Sequence, residues 1–494
     1  MYKYIAFFST DVLNFLRLNK REKGVNDLNW YLNFFQPEKL MGKFTPEGPV
    51  PTKEEIVKKT IHIAWPAVLE SFLIALVAFI DNIMVSSLGA YAVAAVGLTT
   101  QPKFIAFAFF ISLNVATSAL VARRRGEGDR EAANRTLKQV LAIMVVMIVV
   151  ITIVFYSLAE PLLKFVGAQA DTIGPASDYF RIIIGFSFFQ LISMTINAAQ
   201  RGVGNTKIAM RTNVISNLLN VFFNYLLIGG NFGFPALGVK GAAIATVIGS
   251  AFACLISIAS ICNPDGYLYI FYEKGVRFDK RTLRSIADLA SSTMAEQIFM
   301  RIGFLLFTMV VSNLGTEAYA AHQVGMNCMH LSFAFGDGFN VAAVSLVGQS
   351  LGAKRKDLAA MYGAACQRFG MTFSAILCVF FVFFGETLFS LFFVEREIIR
   401  LGGYITKILA IRLFLQIRQV ITAGCLKGAG DTKFVAKVAF ISITIIRPLG
   451  AWIFCYPLGM GLIGAWTGTL VDQCVRAGLN SMRFRTGKWS QIEI

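Results

Sequence analysis

One heptapeptide occurs twice in this chain. Arg201–Lys207 reads R-G-V-G-N-T-K, and Lys427–Lys433 reads K-G-A-G-D-T-K, an offset of 226 residues (201 to 427). The same offset joins Gly89 to Gly315, Ala94-Ala95 to Ala320-Ala321, Gly126 to Gly352 and Glu70 to Glu296. Several segments in register at one spacing mark a duplication, and any fold must be two copies of one unit.

Each unit is built for lipid. Of 494 residues, 56% are apolar and 15% charged, where a soluble domain carries about 25% charge. Apolar runs of helical, non-alternating character recur at about 60–86, 92–121, 139–158, 178–200, 208–229, 237–261, 285–312, 317–349, 362–386, 401–424, 434–456 and 460–481. A run of roughly 20 residues crosses a hydrocarbon core as a helix. The expected fold is therefore all-α and polytopic: twelve transmembrane helices in two pseudo-symmetric six-helix bundles, with a cavity between the lobes. The expected divisions are an N-terminal extension at 1–57, a first lobe at 58–261, a linker at 262–284, a second lobe at 285–482 and a tail at 483–494.

The net charge of +17 invites a nucleic-acid reading. Its placement argues against one. Arg123-Arg124-Arg125, Arg277–Arg284 and Lys354-Arg355-Lys356 fall in even-numbered connections, whereas the odd-numbered ones hold only Lys164, Lys240, Arg396 and Arg400. That asymmetry predicts a multi-pass protein of the cell membrane with both termini cytoplasmic, and membrane lipids as its charge partners rather than nucleic acid. Tyr4–Leu18 reads as an amphipathic surface segment or an unordered extension. It is not a signal peptide, since Asp11 interrupts it. Eight cysteines stand singly with no C-x-x-C, as small core residues do.

Ionisable groups inside the spans are the functional candidates. Glu70 and Asp81 lie eleven residues apart in the first span, hence on one helix face about 16 Å apart. Each is read as functional or as half of a structural ion pair. Asn213, Asn217, Asn220 and Asn224 form a single stripe on the fifth span. Such a stripe glues helices together, or lines a wet cavity and offers oxygens to a cation. Asp81 and Asn224 each lie a few residues from the outer end of their spans, so the stripe and Asp81 are expected to share a polar cavity. Gln190 and Asn197 of the fourth span add polar groups. Glu296 repeats Glu70. Asp472 and Arg476, four residues apart, are expected to pair with each other. Arg181 is expected to snorkel to the interface. Phe72 and Phe299 are read as packing.

No G-x-x-x-x-G-K-[ST] is present, no histidine pair has zinc spacing, and no nucleophile–base set is visible. An enzyme is not expected, and neither is a cofactor or a metal beyond a coupling ion. A duplicated bundle with sparse buried carboxylates is the pattern of a secondary transporter.

At these residues the chain resembles the MATE (multidrug and toxic compound extrusion) family. The matching strings include V-A-F-I-D-N-I-M-V-S-S-L-G around Asp81, L-L-N-V-F-F-N-Y-L-L-I-G-G around Asn220 and Asn224, L-K-G-A-G-D-T-K, and the closing R-F-R-T-G-K-W. The resemblance implies a monomeric antiporter that exports cationic lipophilic compounds in exchange for sodium or protons by rocking two lobes. It implies cation coupling at Asp81 with Asn217, Asn220 and Asn224. Glu296 falls about a turn before a helix 7 glutamate of other branches, and Glu70, Glu296, Gln190 and Asn197 are expected to line a substrate cavity between the lobes. Asn224 stands where an archaeal branch has aspartate, and Ser292 where members often have proline. The alternative is a flippase of lipid-linked precursors, for which Arg181, Arg301, Arg412 and Arg418 would have to converge on one cavity. A membrane-embedded enzyme or a channel is a more distant alternative.

Overall fold

The computed structural model describes residues 33–272, 275, 278–390 and 395–494. The segment Tyr4–Leu18 lies outside them. Twelve long helical elements follow in order. The first six are α1 (Lys53–Ser86), α2 (Ala90–Glu127), α3 (Arg130–Ser157), α4 (Ile173–Gly185 and Ser187–Gly202), α5 (Thr206–Gly229) and α6 (Gly238–Cys262). The second six are α7 (Lys280–Ser312), α8 (Thr316–Gly352), α9 (Lys356–Ser390), α10 (Arg396–Gly428), α11 (Thr432–Cys455) and α12 (Gly461–Thr486).

These helices overrun the apolar runs at the basic end, because polar caps continue them into the aqueous layer. Thr52 and Glu55 close a reciprocal capping box at the start of α1. Asp129 caps α3 through the Ala132 amide at 2.8 Å, and Asp279 caps α7 through Thr282 at 2.9 Å. The backbone amide of Thr282, then its hydroxyl, hold the Asp279 carboxyl below the usual carboxylate range. Among the described residues, eight helices are long and apolar enough on their own to span a membrane, and α4, bent by 48° at its break, makes a ninth. The others, α5, α10 and α12, fall short because asparagines, arginines and lysines interrupt their apolar faces.

The duplication is visible in backbone and side chains alike. Both copies of the heptapeptide turn place a glycine at positive φ, Gly204 at +87° and Gly430 at +90°, where a Cβ is strained. Helices α5 and α11 start and stop at the same offset of 226, at Thr206/Thr432 and Gly229/Cys455. They differ inside. Helix α11 carries a π-helical stretch, Phe440–Ile446, which the sequence pattern did not announce. Thr444 there donates to the Phe299 carbonyl at 3.0 Å, tying α11 to α7.

The halves meet most tightly at the basic end, where α2 crosses α8. A Cβ on Gly126 would sit 1.9 Å from the Gln349 carbonyl oxygen, and one on Gly352 would sit 2.1 Å from that of Arg123. Only glycine lets the two backbones approach so closely. Ser345 and Gln349 of α8 also donate to the Gly202 carbonyl at 3.1 and 2.9 Å. Residues before α1 and after α12 lie on this end as well. Phe35 stacks on Phe369 at 4.5 Å, Phe44 meets Trp489, and Arg123 donates to the Ile492 carbonyl at 2.6 Å.

Candidate functional site

Helix α1 carries Asp81 five residues before its end, and α5 brings its amides to the same depth. The Asn224 side-chain nitrogen donates to Asp81 Oδ1 at 2.8 Å. Asn220 is satisfied when its amide oxygen accepts from Thr246 of α6, at 3.1 Å from the hydroxyl and 3.2 Å from the backbone N–H. Its nitrogen then faces both Asp81 oxygens at 3.0 and 2.9 Å. Asp81 thus receives amide dipoles, and among the described residues no lysine, arginine or histidine forms an ion pair with it. A carboxylate held by neutral donors in a membrane helix keeps an uncompensated charge. Asn224 Oδ1 and Asn217 Nδ2 have no partner among these groups.

About two turns from Asn220 toward the basic end, Asn213 serves a different acid. It donates to Glu70 Oε1 at 2.6 Å, and Arg201 reaches the same oxygen at 2.9 Å. Glu70 is 5% exposed. Its repeat partner Glu296, 2% exposed, takes Lys427 at 2.8 Å and Arg476 at 3.7 Å. Arg201 and Lys427 open the two copies of the heptapeptide. Each half therefore staples its first helix to its fourth with one acid–base pair in the same place.

A cavity of about 430 Å³ joins these groups, lined by Glu70, Asp81, Gln190, Asn197, Arg201, Asn213, Asn217, Asn220, Thr246 and neighbours from α4 to α6. Helix α8 adds Asp337 and Val341. Most of the lining thus belongs to the first half, with one wall from the second.

Several expectations need correction. Glu296 does not line this cavity, because Lys427 and Arg476 enclose it in the second half. Asp472 pairs with Arg447 of α11, whose Nε and Nη2 lie 2.9 and 2.6 Å from one oxygen, rather than with Arg476. The crossing of α11 and α12 supplies a nearer guanidinium than the same helix does. Arg181 needs no correction: it pairs with Glu160 at 3.1 Å, both side chains partly exposed, as a side chain that reaches the interface can. Arg301 lies over the Phe104 ring at 4.1 Å and Arg412 donates to Gln416 at 2.6 Å. Neither they nor Arg181 or Arg418 line the cavity, so the arginine convergence that a flippase would need is not built there. Phe72 and Phe299 pack on Phe335 and Phe440, with ring centres 5.6 and 4.9 Å apart. Arg201 and Asp337 were missed as site residues. For Arg201 a signal existed, since a basic residue and Glu70 recur together at the one offset.

Comparison with known proteins agrees with the fold. The MatE family matches residues 66–226 and again 293–453. A probable multidrug resistance protein NorM of Thermotoga maritima is 28% identical over 457 residues, covering 92% of this chain and 96% of that protein. The uncharacterized transporter YisQ of Bacillus subtilis is 27% identical over 430 residues, covering 87% of this chain and 94% of its own. An outward-facing structure of a multidrug resistance MATE family transporter superposes with a TM-score of 0.82 at 22% identity, covering 91% of this chain and 98% of that one.

Proposed function

This chain belongs to the MatE family, a family of multi-pass membrane transporters and not enzymes, and from that premise we propose that it is a multidrug efflux antiporter of the cell membrane. Its cargo is a cationic lipophilic compound, and its driver is sodium or a proton. The observation that carries the reading is Asp81, an intramembrane acid in a polar cavity with amide neighbours and, among the described residues, no ion pair. A charge so placed favours any monovalent cation that reaches it.

The cycle follows from charge. With Asp81 ionised, the cavity holds a cationic substrate. A proton on Asp81 removes that attraction directly. Sodium does the same if the amides of Asn217, Asn220 and Asn224 turn their oxygens toward it, since a hard cation selects oxygen ligands. The basic loops favour the cytoplasm, so the tight α2–α8 crossing closes the inner side and leaves Asp81 nearer the outer one. Substrate release outside, rocking of the halves and ion release inside complete the exchange; a one-for-one swap of a monocation for the ion moves no net charge, so the ion's concentration gradient drives it, about 1.4 kcal/mol per tenfold. The supporting relatives are named for multidrug resistance.

The test is dye accumulation in inverted vesicles under imposed sodium or proton gradients. One gradient is expected to drive uptake and the other is not. Uptake that ignores both gradients contradicts the proposal.

A further inference from the structure

We infer that Asp337 is the second half's substrate-binding residue, and that with Glu70 it equips the cavity to take cations bearing two separated positive charges. The inference rests on the export reading above and deepens it. Four observations lead to it. Asp337 sits on α8, yet lines a cavity otherwise walled mainly by α1, α4, α5 and α6. Its neighbour Gly338 holds it there, since a Cβ at Gly338 would come within 2.4 Å of the Val68 Cα, two residues before Glu70. Asp337 takes an amide hydrogen bond from Asn340 at 3.1 Å and, among the described residues, no ion pair. Finally, Glu70 is 5% exposed and spends one oxygen on Arg201 and Asn213, while its other oxygen, Oε2, is buried with no donor. A buried acceptor left without a partner is unfavourable, and the positive charge of a ligand in the cavity offsets it.

Charge then sets the substrate class. Glu70, Asp81 and Asp337 face one fixed cation, Arg201, so with Asp81 ionised the cavity has capacity for two positive charges. Removing Asp337 leaves capacity for one. Because Asp337 arrives from the other half, a dication held between it and the α1 carboxylates touches both halves. A monocation satisfied by α1 alone does not.

Ethidium and propidium share a ring system and differ by one charge, so they read this directly. In liposomes containing the full chain, Asp337→Asn is expected to raise the propidium KM about tenfold and the ethidium KM about threefold or less, the loss of one charge interaction. Asp337→Glu keeps the charge and is expected to retain the wild-type propidium-to-ethidium ratio, which separates loss of charge from loss of fold. If that ratio is the same within about twofold in Asp337→Asn as in wild type, or if Asp337→Glu shifts it as far as Asn does, the assignment of Asp337 is overturned. Failure of the wild-type protein to move either dye overturns the export reading itself, and this inference with it.

Discussion

The two halves share a scaffold and differ in what it encloses. At the one offset the first half has Asp81 where the second has Phe307. It has Asn213, Asn217, Asn220 and Asn224 where the second has Ala439, Ile443, Ile446 and Gly450. Thr246, which steadies Asn220, faces Asp472 in the comparison, and Asp472 is locked to Arg447 with both side chains 3% exposed or less. Retained in both are the turn glycines Gly204 and Gly430, the staples Arg201–Glu70 and Lys427–Glu296, and the crossing glycines Gly126 and Gly352. The repeat keeps what shapes the bundle, while the amide-flanked acid Asp81 has no counterpart at its offset, and the second copy adds to the cavity only through Asp337 and Val341 of α8.

That contrast is breakable by substitution. The largest effect is expected from Glu296→Ala, which leaves two cations, Lys427 and Arg476, 15% and 11% exposed, without their buried acid. Breaking a buried pair in this way costs about 3–5 kcal/mol. Glu70→Ala strands one cation, Arg201, which is 20% exposed, together with the Asn213 amide, and is expected to cost about 1–3 kcal/mol. Thermal unfolding of the purified protein orders the two, and equal losses would mean that the staples do not differ as their surroundings do. Next comes Asn220→Ile, which gives the first half the residue of the second. Gradient-driven efflux is expected to fall about 10- to 100-fold with stability within about 1 kcal/mol of wild type. An unchanged efflux rate would show that the amide stripe is helix glue. A loss of stability comparable to that of Glu70→Ala is expected from Gly352→Ala, where the added methyl meets the Arg123 carbonyl. Overpacking of this kind costs about 1–3 kcal/mol, and is expected to raise thiol labelling of a cysteine placed at Ala122. Labelling identical to that of Gly352 protein would show that the crossing has room to spare.

Much of this was legible in one dimension. The offset of 226, the twelve helices and the common depth of Asp81 and Asn224 all follow from spacing, because a membrane helix of known direction fixes how deep each residue lies. The partners of Glu70 and Asp472 did not follow. Arg201 is 131 residues from Glu70 and Arg447 is 25 from Asp472. Such contacts depend on which helices cross and at what rotation, and periodicity carries neither. Asp337 escaped for the same reason, since its own helix belongs to the half that does not otherwise wall the cavity. The π-helical stretch of α11 leaves no mark either, being composed of Phe, Ile, Ser and Thr that suit an ordinary helix.

Ion binding to the purified chain tests the central claim most directly. Sodium binding by equilibrium dialysis and proton uptake into a weakly buffered solution are measured on wild type and on Asp81→Asn. The account predicts about one coupling ion per wild-type chain, of one kind or the other, and its loss in Asp81→Asn. Undiminished stoichiometry in that variant would contradict it.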